Sequence, residues 1–287
     1  MLIMVLFVVF ITTLGYVFQK ALGYGVGFTG FILVIAGISS LISYYYSDQL
    51  VLMTSGAQPV SEKENPEIYH IVENLSIGDG LPKPKIYMIH DPSPNAFATG
   101  RDPQHAVVCV TSGLVSLMNK SELEGVIAHE LSHVKNLDTR LMAIVAILVG
   151  FVAILANMFM NTLWWGGFRG RDRDNQNGNI QAIFLLIGII FAILSPIVAT
   201  LIQLAVSRKR EYLADASGAL LTRYPEGLAS ALEKIAKSPY SVRTATNATA
   251  HLFIANPFKG KDTKVWFASL FDTHPPIEDR IKILRSM

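Results

Sequence analysis

The run His129-Glu130-Leu131-Ser132-His133 holds the residues best suited to chemistry. Histidines at i and i+4 share one face of a helix, so His129 and His133 can bind a single metal ion. Glu130, beside them, is placed to take a proton from water activated at that ion. The competing reading is an amphipathic helix with two histidines on its polar face. Two imidazoles leave a metal under-ligated, since catalytic zinc commonly has three protein ligands and an open position for water. The segment Ser207–Asp215 offers a third in Glu211. His133 lies eight residues before an apolar insert that starts at Leu141, and Glu211 five residues after another that ends at Val206. If the two inserts fold back as an antiparallel hairpin, both side chains stand just outside it on the same side, about 12 Å and about 8 Å from its ends. Asp215, four residues beyond Glu211, shares its face and can accept a hydrogen bond from the far nitrogen of a metal-bound histidine. The alternative for Glu211 and Asp215 is a pair of ordinary i, i+4 surface acids beside Arg208-Lys209-Arg210. Gly125, one turn before His129, either leaves room for substrate or a neighbouring strand or is simply tolerated.

The elements that must position these groups read as follows. Ser121-Glu122-Leu123-Glu124 predicts a capping box, with Ser121 as the cap and Glu124 reaching back. The helix then runs from Glu122 to about Arg140, with Leu123, Val126, Ile127, Leu131 and Val134 on its apolar side. No turn signal separates it from the insert at Leu141, so it is expected to continue into that insert. Upstream, Ser61–Ser76 has helical apolar spacing, and Lys85–His90 and Ala106–Thr111 read as strands. Asn95-Ala96-Phe97-Ala98 lies between them as a candidate edge strand. Downstream, helices are predicted at Pro225–Lys237 and after His274-Pro275-Pro276, with the loop-rich Tyr240–Lys264 between them. By position, that loop can cover the site.

The chain has 287 residues, 51% hydrophobic and 16% charged, with a mean hydropathy of +0.39. Four stretches carry no Asp, Glu, Lys or Arg: Leu2–Phe18, Phe28–Tyr46, Leu141–Leu163 and Ile180–Val206. The rest is charged to roughly the quarter typical of soluble domains. Each stretch is long enough to cross a hydrocarbon core of about 30 Å as a helix. The layout predicts two membrane hairpins, 1–46 and 141–206. They alternate with two parts of a polar α/β domain, 47–140 and 207–287. Both termini and the polar parts fall on one side of the membrane. Lys and Arg near the span ends favour that side as cytoplasmic by five to four. Cys109 is the only cysteine, so no intrachain disulfide forms, which fits a reducing compartment. A net charge of +2 points away from nucleic acid. His70, His90, His105 and His251 stand alone and are read as structural.

Taken together, Asn95–Ala98, His129–His133, Ser207–Ala219, and Thr273-His274-Pro275-Pro276 followed by Arg280 resemble the HtpX-type membrane zinc metallopeptidases. These are related to the CAAX prenyl proteases that carry the same metal motif. The resemblance implies a mainly α membrane protein with an α+β zincin-like catalytic domain and four transmembrane helices. It implies one zinc ion per chain on His129, His133 and Glu211, with Glu130 as general base. Asn95, Ala96, Phe97 and Ala98 are then a cleft strand on which substrate peptide pairs by strand addition. His274 or Arg280 is expected to steady the oxyanion. The resemblance further implies a bacterial inner-membrane enzyme with a cytoplasmic active site. It would degrade damaged or misfolded membrane proteins, and self-cleavage or an oligomer is also expected. Only four inserts are present, too few for the large chamber of the prenyl proteases. The rival readings are a protease cutting inside the bilayer, which the polar flanks of the motif oppose, and a non-catalytic scaffold or holdase with a structural zinc.

Overall fold

A computed structural model of the chain describes residues 2–22, 25–144, 208–245, 249–257 and 275–287, with isolated positions at 186, 188 and 189. The chain divides into two compact units: Met1–Tyr45 with Ala146–Leu201, and Tyr46–Val145 with Ile202–Met287.

In the first unit, α1 (Leu2–Leu22) and α2, which begins at Gly27 and runs on to Ser55, form an antiparallel hairpin. Gly15 lets them meet: a Cβ there would lie 2.7 Å from the Ile32 side chain. Ile11, Leu14, Ile32 and Ala36 line the buried seam. The Gln19 side chain accepts hydrogen bonds from the Thr29 hydroxyl and backbone N–H across the turn. Among the described residues one helix is long and apolar enough to cross a membrane, over Gly27–Tyr46, and Phe7–Val17 is a shorter apolar stretch. The inserts Leu141–Leu163 and Ile180–Val206 lie almost wholly outside the described residues.

The second unit is mainly helical around a small mixed sheet. Its strands are β1 (Gln58–Pro59), β2 (Lys85–Ile89), β3 (Ala96–Thr99) and β4 (Val107–Thr111), in the order β1-β2-β4-β3. The pair β2–β4 is parallel, while β1–β2 and β3–β4 are antiparallel. Strand side chains alternate between faces. Val108 and Val110 therefore enter one core with Leu123, Val126, Ile127 and Leu131, while Val107 and Cys109 enter another with Val51, Leu52 and Phe253. The first core is closed by α3 (Pro66–Asp79), α4 (Ser112–Leu117), α5 (Lys120–Lys135), α8 (Pro225–Lys237) and α9 (Ile277–Leu284). The edge strand expected at Asn95–Ala98 is β3, shifted by one residue, and it closes one end of the sheet.

Two expectations about α5 need correction. Its cap is Asn119, not Ser121: Asn119 accepts from the Glu122 backbone, and Glu122 reaches back to the Asn119 N–H. Asparagine caps as well as serine does, and Lys234 rewards the earlier start by binding Glu122 at 2.6 Å. Nor does the helix continue to Arg140. It ends at Lys135, Leu137 takes a left-handed φ of 58°, and a new helix, α6, starts at 138 and is described to 144. The expected Ser61–Ser76 helix likewise starts late. Ser61 and Glu64 are tied into a turn, and Asn65 caps the helix ahead of Pro66.

Candidate metal centre

The middle of α5 carries the metal motif, and the helix is buried from Gly125 to Val134. The helix over 208–222, here α7, lies against it. Glu211, Asp215 and Gly218 recur at helical spacing and face α5 together. Gly218 sets the approach. A Cβ there would come 2.9 Å from the His129 backbone nitrogen and 3.2 Å from the Ala128 carbonyl carbon, so only glycine lets the backbones close. Gly125 does the same for α8, with its absent Cβ 2.6 Å from the Leu228 nitrogen. That position thus makes room for a neighbouring helix, rather than for substrate or a strand.

These approaches bring His129, His133 and Glu211 together, with one potential ligand atom from each lying within 4.8 Å of the others. The His129 and His133 rings stand edge to face, with their Nε2 atoms 3.2 Å apart. Glu211 Oε1 is 3.4 Å from His133 Nε2, and Oε2 is 3.8 Å from His129 Nε2. Each histidine has a carboxylate at its other nitrogen. Asp215 Oδ1 lies 2.9 Å from His129 Nδ1, off the line of a hydrogen bond, and Asp138 Oδ2 lies 3.2 Å from His133 Nδ1. A carboxylate beside each Nδ1 favours the tautomer that leaves Nε2 free to ligate a metal. Two such nitrogens facing each other at 3.2 Å, with a carboxylate against them, suit a cation between them.

Glu130 is also buried, with Oε1 unpartnered and the Ala98 N–H bonded to the carboxylate. Burial pushes its pKa up to about 7; His133 pulls against this and Glu211 adds to it. Arg280 is 1% exposed and grips Asp215 with two bonds, at 2.8 and 2.7 Å. Burial raises the Asp215 carboxyl, and the guanidinium outweighs it, holding the pKa at about 2. Arg280 Nη1 donates to the Ile254 carbonyl at 2.8 Å and lies 3.3 Å from Glu211 Oε2.

Asn95, Ala96, Phe97 and Ala98 are all buried. Thr111 N–H donates to the Asn95 carbonyl, so Asn95 and Phe97 turn their backbone groups to β4, and Ala96 and Ala98 turn theirs to the outer edge. That edge is engaged by the chain itself. The Ile254 N–H donates to the Ala96 carbonyl at 2.9 Å, the Ala96 N–H to Asn95 Oδ1 and the Ala98 N–H to Glu130. Phe253 packs edge-on against Phe97, and Asn95 Nδ2 donates to the Ala255 carbonyl. His274 lies outside the described residues. One carboxylate at the site, Asp138, was not singled out by the sequence. A helix drawn straight to Arg140 places it off the His133 face, and only the break at Leu137 turns it back. Asn136, suited to a helix end, was the available signal.

Residues 62–287 match the description "Peptidase family M48". Over 286 residues the chain is 46% identical to a "Protease HtpX homolog" of Caldanaerobacter subterraneus, covering 100% of this chain and 93% of that relative. A "Protease HtpX homolog" of Pyrococcus furiosus is 48% identical over 271 residues, covering 93% of this chain and 90% of the relative. These relatives bear out the HtpX-type resemblance drawn from the motifs. The crystal structure of S. mikatae Ste24p has a similar fold, with a TM-score of 0.54 at 17% identity, covering 95% of this chain and 62% of that one. With a family match running from before α3 to the C-terminal residue and near-full-length relatives close to half identical, the chain belongs to peptidase family M48.

Proposed function

We propose that the chain is a membrane-bound zinc endopeptidase, with His129, His133 and Glu211 as the metal ligands. The observation that carries this is the buried His129–His133–Glu211 group, whose ligand atoms converge within 4.8 Å of one another. Bound there, zinc would supply Lewis acidity, lowering the pKa of water and polarising the scissile carbonyl. The three ligands and no fourth among the described residues suit an open catalytic position rather than a structural site.

Glu130 serves as general base and then general acid. It takes the proton of the attacking water and returns it to the leaving amine. A substrate peptide pairs as an extended strand along Ala96–Ala98. To do so it takes over the Ala96 carbonyl from Ile254 and the Ala98 N–H from Glu130, which frees Glu130 for catalysis. Such main-chain pairing tolerates many sequences and suits the degradation of damaged or misfolded membrane proteins. Asp215 orients His129, and Arg280 holds Asp215 and Glu211 in place. His274 or Arg280 steadies the oxyanion.

On this reading the chain crosses a bacterial inner membrane four times, with hairpins at 1–46 and 141–206 and the site facing the cytoplasm. The apolar inserts and the basic residues at their ends support this. The test is Glu130→Gln. The variant is expected to bind zinc as the wild type does and to cleave an unfolded protein at least 100-fold more slowly, in the range typical of a lost general base. Cleavage at the wild-type rate, or persisting after chelation, sinks the reading.

A further inference from the structure

The break between α5 and α6 returns a buried carboxylate to the second motif histidine, and the same carboxylate is tied to α7. Asp138 is 1% exposed, with Oδ2 at 3.2 Å from His133 Nδ1. Its other oxygen, Oδ1, is paired with Arg210 Nη1. Arg210 immediately precedes Glu211. The circuit His133–Asp138–Arg210–Glu211 therefore closes on itself and joins two helices that each provide a ligand. The left-handed Leu137 is the backbone condition for it. A leucine held at φ 58° is an unfavourable conformation that persists only where surrounding contacts impose it. The ion pair Asp138–Arg210 and the bond from His133 are such contacts.

On the reading that this is a metal site, we propose that Asp138, with Arg210, is a positioning residue for the metal. It holds the His133 proton on Nδ1, aims Nε2 at the ion and ties the height of Glu211 on α7 to that of His133 on α5. The arrangement parallels His129–Asp215–Arg280, so each ligand histidine is backed by an aspartate and each aspartate by an arginine. The two differ in setting. Arg280 is fully buried, whereas the Arg210 side chain is 42% exposed. Partners of this kind typically set metal affinity by about 10–100-fold.

The test measures the zinc dissociation constant of the purified full-length chain in detergent, by competition with a chromophoric chelator. Asp138→Ala is expected to bind zinc about 10–100-fold more weakly. Asp138→Asn should lose less, because its amide oxygen still accepts from His133. Arg210→Gln should also weaken zinc. Cobalt substituted into Asp138→Ala should show shifted visible ligand-field bands, a change that a purely structural role does not produce. Wild-type affinity in Asp138→Ala overturns the proposal, as do unshifted cobalt bands in that variant. If Asp138→Ala does not fold, Arg210→Gln decides at its half-exposed position, and wild-type affinity there overturns it. A wild-type chain that binds no zinc would defeat the metal reading itself, an outcome distinct from any variant-specific failure.

Discussion

Replacing Gly218 with alanine tests whether the contact between α5 and α7 sets the ligand geometry. The added Cβ would sit 2.9 Å from the His129 nitrogen, where ordinary contact begins at 3.4 Å. The obstructing atoms are backbone, so relief requires the two helices to part by about 0.5 Å, well beyond the roughly ±0.2 Å that a metal site tolerates in its ligand distances. The stability cost is smaller than this suggests. Overpacking costs about 1–3 kcal/mol, and alanine recovers about 1 kcal/mol of helix propensity, leaving about 0–2 kcal/mol. At roughly 2–4 °C per kcal/mol for a unit of this size, the metal-free melting temperature falls by at most about 8 °C. Zinc binding, in contrast, should weaken at least about tenfold, equivalent to 1.4 kcal/mol, because Glu211 is moved away from the histidines. Thermal melts of the metal-free protein, zinc competition and cleavage of an unfolded substrate separate the two effects. A Gly218→Ala chain with wild-type zinc affinity and wild-type cleavage would show that this close approach does not position the ligands.

Arg280→Met strands the buried charge of Asp215 and should destabilise the chain by about 3–5 kcal/mol; a loss below about 1 kcal/mol in denaturant unfolding would refute the buried pairing. Asn119→Ala removes the α5 cap at a cost of about 1 kcal/mol, whereas Ser121→Ala should cost much less, since Ser121 is not the cap. Equal losses in the two variants would restore the original placement. Burial pushes the Cys109 thiol pKa far above its ordinary value, so the thiol should resist a maleimide reagent in the folded chain and react only in denaturant. Rapid labelling under native conditions would refute its core position.

The metal motif was legible because i, i+4 spacing is a local property, and Glu211 was reached by taking the two inserts to fold back on one another, in residues that lie almost wholly outside the described ones. Pro225–Lys237 was found at both ends, since Pro225 and Ser238 punctuate it. What was lost depended on geometry that only the assembled fold supplies. Asn119 and Ser121 can both cap, and Lys234, 112 residues away, favours the earlier start by binding Glu122. Nothing in Asn136-Leu137-Asp138 signals a left-handed leucine, which stands just past the end of α5, where helices commonly place such a residue. Gly125 was seen as a space-maker, but its neighbour was misassigned, because the partner helix lies 100 residues downstream.

The hydrogen bond from Ile254 to Ala96 bears on which polypeptides such an enzyme accepts. A segment of the same chain competes for the edge at an effective concentration in the millimolar range, as tethered competitors do. If substrate pairs along β3, it exchanges one set of main-chain hydrogen bonds for another and gains little net free energy from them. A folded protein, which would first have to unravel a strand of its own, cannot meet that threshold. A chain with an extended segment already free, held at high local density in the same membrane, can. Discrimination between intact and damaged proteins would then reside in the competition for one strand edge, with no need to recognise any particular side chain.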